Sequence, residues 1–249
     1  RMKVTMTSVE TKTAMVQGEG NTFSPKWTAG DQLGVFVRAN GKNVDTNIST
    51  EALEADAESA TFSAEVTAPE NDGTYDFYTY YPYNNLEGSD YKAVRVAIPS
   101  EQHPANSSFD PKADILTGYP KAVEVTAEQT ELEGLSIQFL RKSSIVRFLI
   151  PSCTGFDGID GETTVSEVTV YFDKNVTGVA KWDITEMADL VLEEAGASNA
   201  VTLKYDATGS YHERLFIING VSSYSTKPTK FTKLNFDLSA KENLIGVYF

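Results

Sequence analysis

Hydrophobic and polar residues alternate along much of this chain, so that every second side chain is apolar. A period of two places one face of an extended strand on a core and the other face in water. Short strands of this kind, separated by turn-forming residues, predict an all-β fold of antiparallel sandwich or barrel sheets. The alternation recurs in six segments: Phe62–Val66, Val94–Ile98, Leu135–Phe139, Val168–Phe172, Val201–Tyr205 and Leu234–Leu238.

Helical periodicity is weak by comparison. Residues 47–58 and 183–192 could each hold a short helix, because their apolar residues do not alternate strictly. Everything else between the turns is predicted to be strand or loop.

A segment that is apolar on both faces marks the predicted domain boundary. Ile145–Ile150 is apolar except for Arg147, and Pro151 ends it. The following residues, 152–162, are rich in Gly, Asp and Thr. We therefore predict an N-terminal β-sandwich domain over residues 1–151 and a C-terminal one over residues 152–249.

The composition is that of a folded protein that avoids nucleic acid. The 249 residues include 13 Phe, 12 Tyr and 2 Trp, which is ample material for a core. A net charge of −14 repels phosphate backbones, so no nucleic-acid partner is expected. The single cysteine, Cys153, has no intrachain partner, and no stretch approaches the roughly 20 apolar residues of a membrane helix.

Candidate catalytic and metal-binding groups are sparse. A hydrolytic triad needs a histidine, and His103 and His212 come without a Gly-x-Ser-x-Gly segment. Asp157–Glu162 holds three carboxylates but departs from the spacing of a calcium loop, so a solvated turn is favoured. Paired carboxylates for glycoside hydrolysis stay open, since their separation is invisible in a sequence. We predict no enzyme, no catalytic residue, no metal and no cofactor.

The most aromatic segment is Asp76–Asn84, which Pro82 interrupts. Tyr78 and Tyr80 are candidates for an exposed platform on which sugars stack, because tyrosine combines a flat apolar face with a polar tip. The alternative, which we favour, is a strand packed on both faces that stops at the proline.

Four phrases stand in a distinctive order within residues 11–150. They are Thr11–Ala14 followed by Trp27–Phe36, Ala60–Ala64 followed by Tyr80–Tyr83, Ile98–Gln102 followed by Asp110 and Ala113–Leu116, and Leu135–Phe148. Together they resemble the fimbrillin family of Bacteroidales, the subunits of type V pili and their relatives. The residues that carry the motifs are expected to be structural: Trp27, Gly30, Asp31, Tyr81, Pro82, Tyr83, Gln102 and Asp114. Arg141 stands near a position where that family usually has a histidine.

The resemblance implies two antiparallel, transthyretin-like β-sandwich domains. It also implies export to the cell surface and outer membrane as a lipoprotein, with the lipid on a cysteine of a leader absent from this sequence. That anchor is the membrane contact expected. Subunits of the family are thought to polymerise by strand exchange after an arginine-specific protease removes an N-terminal strand. Such removal is physically plausible, because it opens an apolar groove that a strand of the next subunit can fill, giving a filament.

The sequence therefore favours a structural or adhesive subunit of a bacterial surface fimbria, with other fimbrial subunits as partners. Host or bacterial surface proteins or glycans are further candidate partners. The alternative is a cell-surface glycan- or protein-binding lipoprotein that does not polymerise. Arg38 is the candidate processing site, since no other arginine lies between Arg1 and Arg95.

Overall fold

The structure is a computed structural model that describes residues 1–9, 14–17, 23–84, 90–104, 108–118, 121–149, 165–185, 189–204, 213–219 and 231–238. Within these ranges the fold is all-β, with one short 3₁₀ helix at Pro111–Ala113. The strands are β1 Met2–Val9, β2 Ala14–Gln17, β3 Phe23–Lys26, β4 Gly34–Ala39, β5 Lys42–Ser49, β6 Thr61–Val66, β7 Gly73–Tyr81, β8 Val94–Ile98, β9 Glu101–Gln102, β10 Leu116–Gly118, β11 Lys121–Val125, β12 Glu131–Arg141, β13 Ser143–Leu149, β14 Val165–Phe172, β15 Gly178–Trp182, β16 Val191–Leu192, β17 Ala200–Lys204, β18 Glu213–Asn219 and β19 Phe231–Leu238.

The largest sheet has the strand order β5-β4-β7-β10-β12-β1-β6, and β11 also pairs with β7. Its pairings are antiparallel except that β1 runs parallel to β12. The ends of its outer strands meet: the Glu51 amide donates to the Ser63 carbonyl at 2.8 Å. Asp45 of β5 also accepts from the backbone N–H of Thr67, just beyond β6, at 2.6 Å. The sheet therefore curls around its core.

Smaller sheets join the two halves of the chain. β8 pairs with β15, and β9 pairs with β17, so strands on either side of residue 151 share hydrogen bonds. The order β19-β14-β17-β9 forms one sheet, β16-β15-β8 a second, and β13 pairs with β18. The division at residues 151 and 152 itself stays a prediction.

Two apolar clusters fill the described part of the fold, and β7 lies between them. One face of β7 sends Tyr75, Phe77 and Tyr81 into the first core, most of which otherwise comes from β1, β4, β6, β12 and Trp27. The other face sends Tyr78 and Tyr80 into the second core, with residues of β8, β15 and the segment 109–115. The aromatic segment is therefore a strand packed on both faces, which confirms the favoured reading of its sequence.

The alternating pattern of the six segments predicts the strands correctly, whereas the separate prediction of two short helices fails. All six lie in strands, namely β6, β8, β12, β14, β17 and β19, with Tyr205 outside the described residues. The two helices are wrong: residues 47–49 end β5 and 50–58 form no helix, while 183–185 and 189–192 contain a turn and β16. Both segments instead pair their backbones with other parts of the chain: Ala57 forms a β-bridge with Trp27, and β16 pairs with β15. Among the described residues, no helix has the length and apolar character that crossing a bilayer requires.

Candidate functional site

Strand β1 is an interior strand of the largest sheet, next to the edge strand β6. It pairs with β12 on one side, in parallel, and with β6 on the other. Alternate side chains of β1 point into the first core, where Met2, Val4 and Met6 are almost completely buried. Lys3 is exposed, while Thr5 and Thr7 are half-buried. The strand thus has an apolar inner face and a polar outer face, and backbone hydrogen bonds join both of its edges to neighbouring strands.

A bulge in β12 interrupts the parallel pairing. Val4 lies opposite Leu132 and Met6 lies opposite Leu135, so β12 has two residues where β1 has one. Gly134 sits in the bulge with a φ of 72°, a conformation that glycine adopts without a steric penalty. Its N–H donates to the Thr5 hydroxyl at 3.3 Å. The β1–β12 contact is therefore less regular than the β1–β6 contact.

The motif residues around Trp27 form one connected unit. Trp27 is fully buried and makes edge-to-face contacts with Phe62, Tyr81 and Phe139 at centroid distances of 5.0, 5.7 and 5.6 Å. Edge-to-face pairs of this geometry add stability beyond the area they bury. Trp27 therefore fills the first core, as its sequence context predicts.

Asp31 fixes the loop that follows Trp27. Its carboxylate accepts from the Thr28 backbone N–H at 2.8 Å, from the Thr28 hydroxyl at 3.1 Å and from the Tyr81 hydroxyl at 2.9 Å. Gly30, with a φ of 91°, makes the turn between them and donates its N–H to the Leu53 carbonyl at 2.8 Å. Asp31 is thus a buried structural carboxylate that ties the loop to β7.

Three segments line an open pocket of about 340 Å³, which we call the loop pocket. They are residues 28–32, residues 81–83 with a cis peptide bond between Tyr81 and Pro82, and residues 110–112. Asp110, buried like Asp31, accepts from the backbone N–H groups of His103 and Lys112, both at 3.0 Å. The structure therefore gathers Gly30, Asp31, Tyr81, Pro82 and Tyr83 at one place, although the sequence motifs that contain them are 50 residues apart.

Tyr78 and Tyr80 do not form an exposed platform. Tyr80 is 1% exposed, Tyr78 is 9% exposed, and both pack in the second core. Burial raises the pKa of the Tyr80 hydroxyl above its ordinary value, and that hydroxyl donates to the side chain of Asn47. Tyr80 also contacts Trp182 edge-to-face at 6.0 Å. The candidate sugar platform at these two tyrosines is therefore not exposed, because Tyr80 packs against Trp182 and Tyr78 stacks on Tyr91.

Asp114 and Gln102 are buried polar anchors away from the pocket. The Arg141 guanidinium donates to both carboxylate oxygens of Asp114, at 2.8 and 2.9 Å, and the Ser143 hydroxyl donates at 2.9 Å. Burial lowers the pKa of Arg141, but attraction to Asp114 outweighs it, so the net direction is upward. Gln102 donates to the Pro99 carbonyl at 3.1 Å where β9 meets β17. The contacts of Asp114 with Arg141 and Ser143 secure the point at which β12 passes into β13.

Arg38, the candidate processing site, lies inside β4, which pairs with β5 on one edge and β7 on the other. Its guanidinium donates to the Gly41 carbonyl at 2.6 Å and lies 4.4 Å from the centroid of the Tyr91 ring. A protease would have to separate β4 from both neighbours to reach this bond. Processing at Arg38 stays a prediction, and we expect it to be slow while β4 is paired on both edges.

The remaining sequence candidates contribute little to a chemical site. Exposed His103 lies 3.2 Å from the Glu101 carboxylate, which also pairs with Lys204 at 2.8 Å. Cys153, His212 and the acidic segment 157–162 lie outside the described residues. In the part of the chain that the structure describes, no three His, Cys, Asp or Glu side chains are grouped to hold a metal ion.

Some residues with clear structural roles carry no sequence signal. Asp45 bridges the ends of the curled sheet, and Arg1 lies 3.5 Å from its carboxylate. Tyr91 stacks on Tyr78 at 6.3 Å beneath Arg38. An isolated Asp or Tyr in a polar stretch cannot be assigned a partner before the strand register is known.

Comparison with known proteins yields a family and a fold. A family model described as fimbrillin-like matches residues 11–238. The chain is similar in structure to a candidate cell adhesion protein of Bacteroides uniformis ATCC 8492, with 18% identity and a TM-score of 0.56 over 93% of this chain and 79% of that one. It is also similar to a candidate cell adhesion protein of Parabacteroides distasonis ATCC 8503, with 12% identity and a TM-score of 0.51 over 96% and 76%. Identities this low support a shared β-sandwich fold alone. No curated protein matches the sequence.

Proposed function

This chain belongs to the fimbrillin-like family, and we propose that it is a structural or adhesive subunit of a bacterial cell-surface fimbria, a type V pilus. In this proposal, proteolysis removes the N-terminal strand β1 and a strand of the next subunit takes its place. The observation that supports it is that β1 lies inside the largest sheet, paired with β12 on one edge and β6 on the other, with its apolar face in the first core. A cell-surface location follows from the family, and an outer-membrane lipid anchor is part of the proposal.

The groove that β1 fills is suited to strand exchange. Three fully buried side chains, Met2, Val4 and Met6, would leave it, and each contributes about 1.5–3 kcal/mol by burial. The facing edges of β12 and β6 would lose their backbone partners at the same time. An incoming strand with apolar residues at alternate positions would restore both interactions. Because the donor and the groove differ, each addition leaves a new groove open, and a filament results.

Release of β1 is the experiment that tests this proposal. Lys12→Arg places an arginine three residues after β1 ends, in the segment that links it to β2. We expect an arginine-specific protease to release β1 from this variant and to produce filaments by negative-stain microscopy and an SDS-resistant ladder. The parent protein should be cut more slowly, because Arg38 lies within a paired strand.

The matched control combines Lys12→Arg with Arg38→Lys, so that position 12 is the one arginine between Arg1 and Arg95. Mass spectrometry identifies the fragment that is released. Complete release of β1 with no polymer would contradict strand exchange. It would favour the alternative, a surface lipoprotein that binds glycans or proteins without polymerising.

A further inference from the structure

The loop pocket combines a cavity, two buried carboxylates and an apolar wall, and no residue of it belongs to β1. We propose that this pocket binds one sugar residue of a surface glycan. The proposal rests on a surface role for the protein, but not on strand exchange. It can therefore be tested on the unprocessed chain.

The walls of the pocket are fixed before any ligand arrives. Asp31 is held by three donors from Thr28 and Tyr81, and the Tyr83 N–H donates to the Gln32 carbonyl at 3.0 Å. The Tyr81 hydroxyl also lies 3.2 Å from the Pro111 carbonyl oxygen, which joins the second and third segments. A preformed site avoids the entropic cost of ordering loops on binding.

The pocket offers hydrogen-bond acceptors to hydroxyl groups. Each oxygen of Asp110 accepts one backbone N–H, from Lys112 or His103. An ionised carboxylate has about four acceptor positions, and the described contacts of the Asp110 side chain use two of them, which leaves capacity for O–H donors of a ligand. A sugar brings several hydroxyl groups close together, whereas an aliphatic ligand would add no donor to this carboxylate beyond its two backbone N–H groups.

The same pocket has an apolar side. Pro82, Pro111 and half-buried Tyr83 line it, and rings of this kind pack against the C–H face of a pyranose. Its volume lies near the lower end of the ~300–1,000 Å³ that is typical of ligand pockets. A single sugar ring suits that space better than a long oligosaccharide.

Other ligand classes fit less well. A phosphate or sulfate group would be repelled by the carboxylates of Asp31 and Asp110 and by the net charge of −14. A basic side chain of a protein partner would be repelled by the ammonium group of exposed Lys112 at the rim. The donors already on Asp31 also reduce its attraction for a second cation. A neutral polyhydroxylated ligand avoids both conflicts.

Closing the pocket from its rim tests the proposal without removing core packing. Ala29 is exposed and lines the pocket, and its N–H is held by Asp56 at 2.9 Å. Ala29→Phe should fill the opening. Ala127→Phe is the matched control, because Ala127 is also exposed in a turn, has its N–H held by Asp72 at 2.7 Å and does not line the pocket.

The probes are the methyl glycosides of glucose, galactose, mannose, fucose and N-acetylglucosamine, observed by saturation-transfer NMR. At least one should bind the parent protein and the Ala127→Phe control equally. In the Ala29→Phe variant its affinity should fall by about tenfold or more, a loss of ~1.4 kcal/mol. Thermal unfolding confirms that both variants are folded.

Three results would overturn the proposal. The first is glycoside binding that Ala29→Phe leaves unchanged, and the second is no binding of any of the five glycosides. The third is pocket-dependent binding of Nα-acetyl-lysine amide without binding of a sugar, which would assign the pocket to a basic side chain of a protein. A failure here together with normal filament formation after release of β1 would leave the fimbrial proposal standing.

Discussion

The two cores on either side of β7 are assembled in different ways. The first core takes its buried residues from positions 2–139, all before the predicted boundary. The second takes Phe36, Tyr78 and Tyr80 from β4 and β7, and closes over them with Ala180, Trp182 and Ile184 from beyond residue 151. A core that draws on both halves cannot form until the halves meet. Strands β4 and β7 therefore couple the two halves, wherever the domain boundary lies.

The aromatic packing of the two cores differs as well. Trp27 meets three rings edge-to-face, whereas the described contacts of Trp182 include one, with Tyr80. These are the two tryptophans of the chain. Replacing either one leaves the other as the sole indole fluorophore, and it reports on the opposite core.

The largest effect is expected for Trp27→Ala. Loss of a fully buried tryptophan costs about 3–5 kcal/mol of unfolding free energy, through lost burial and the cavity that remains. Trp182→Ala should cost less, because Trp182 has fewer ring contacts. Urea unfolding followed by the remaining tryptophan measures each loss. Since β7 contributes to both cores, Trp182 fluorescence in Trp27→Ala should shift to the same lower midpoint as circular dichroism.

An independent transition would contradict this coupling. If Trp182 fluorescence in Trp27→Ala keeps the parent midpoint while the circular dichroism signal splits into two steps, the cores unfold separately. That result would favour two autonomous domains. A shared midpoint would instead indicate that strands on either side of residue 151 belong to one cooperative unit.

The first core was largely accessible to prediction from the sequence. Alternation identifies the inward residues of β6 and β12, such as Phe62 and Ile137, because a period of two assigns each side chain to a face. The aromatic run of β7 predicts packing on both faces. Trp27 follows from its place beside a Gly-Asp turn.

The sequence could not show which strands meet. The parallel pairing of β1 with β12 joins residues about 130 positions apart, and the pairing of β8 with β15 crosses the predicted boundary. Local patterns carry no information on such partners, because many apolar strands fit one another equally well. The burial of Tyr78 and Tyr80 depends on these pairings. For the same reason, the loop pocket appears only once residues 28–32, 81–83 and 110–112 are brought together.

A smaller loss is expected for Gly34→Ala, which acts on the second core from within the first sheet. A Cβ at Gly34 would lie 2.0 Å from Cε1 of Tyr80, so the tyrosine ring, which contacts Trp182, would have to move. Overpacking of this kind costs about 1–3 kcal/mol. The matched control is Gly73→Ala at the start of β7, where the nearest atom would be 3.4 Å away on the Asn40 side chain.

Chemical denaturation measures the unfolding midpoint of both glycine variants and compares them with the parent protein. Gly73→Ala should be neutral or slightly stabilising, because alanine restricts the unfolded chain without a clash. Gly34→Ala should lower the midpoint and change the fluorescence of Trp182. Equal midpoints for the two variants would mean that Tyr80 does not pack against the Gly34 backbone as described.

The smallest effect concerns an ion pair within the sheet that joins the halves. Arg95 of β8 and Glu193, directly after β16, lie 2.6 Å apart, although their positions differ by 98 residues. Both side chains are partly exposed, so the pair contributes about 0.2–1 kcal/mol, and added salt should reduce that contribution. Glu193→Gln should therefore lower the urea midpoint slightly at low ionic strength and have almost no effect in 1 M salt. A salt-independent loss of unfolding free energy larger than about 2 kcal/mol would contradict this expectation. It would show that the pair contributes as much as a buried ion pair and is one of the main contacts that hold the second core together.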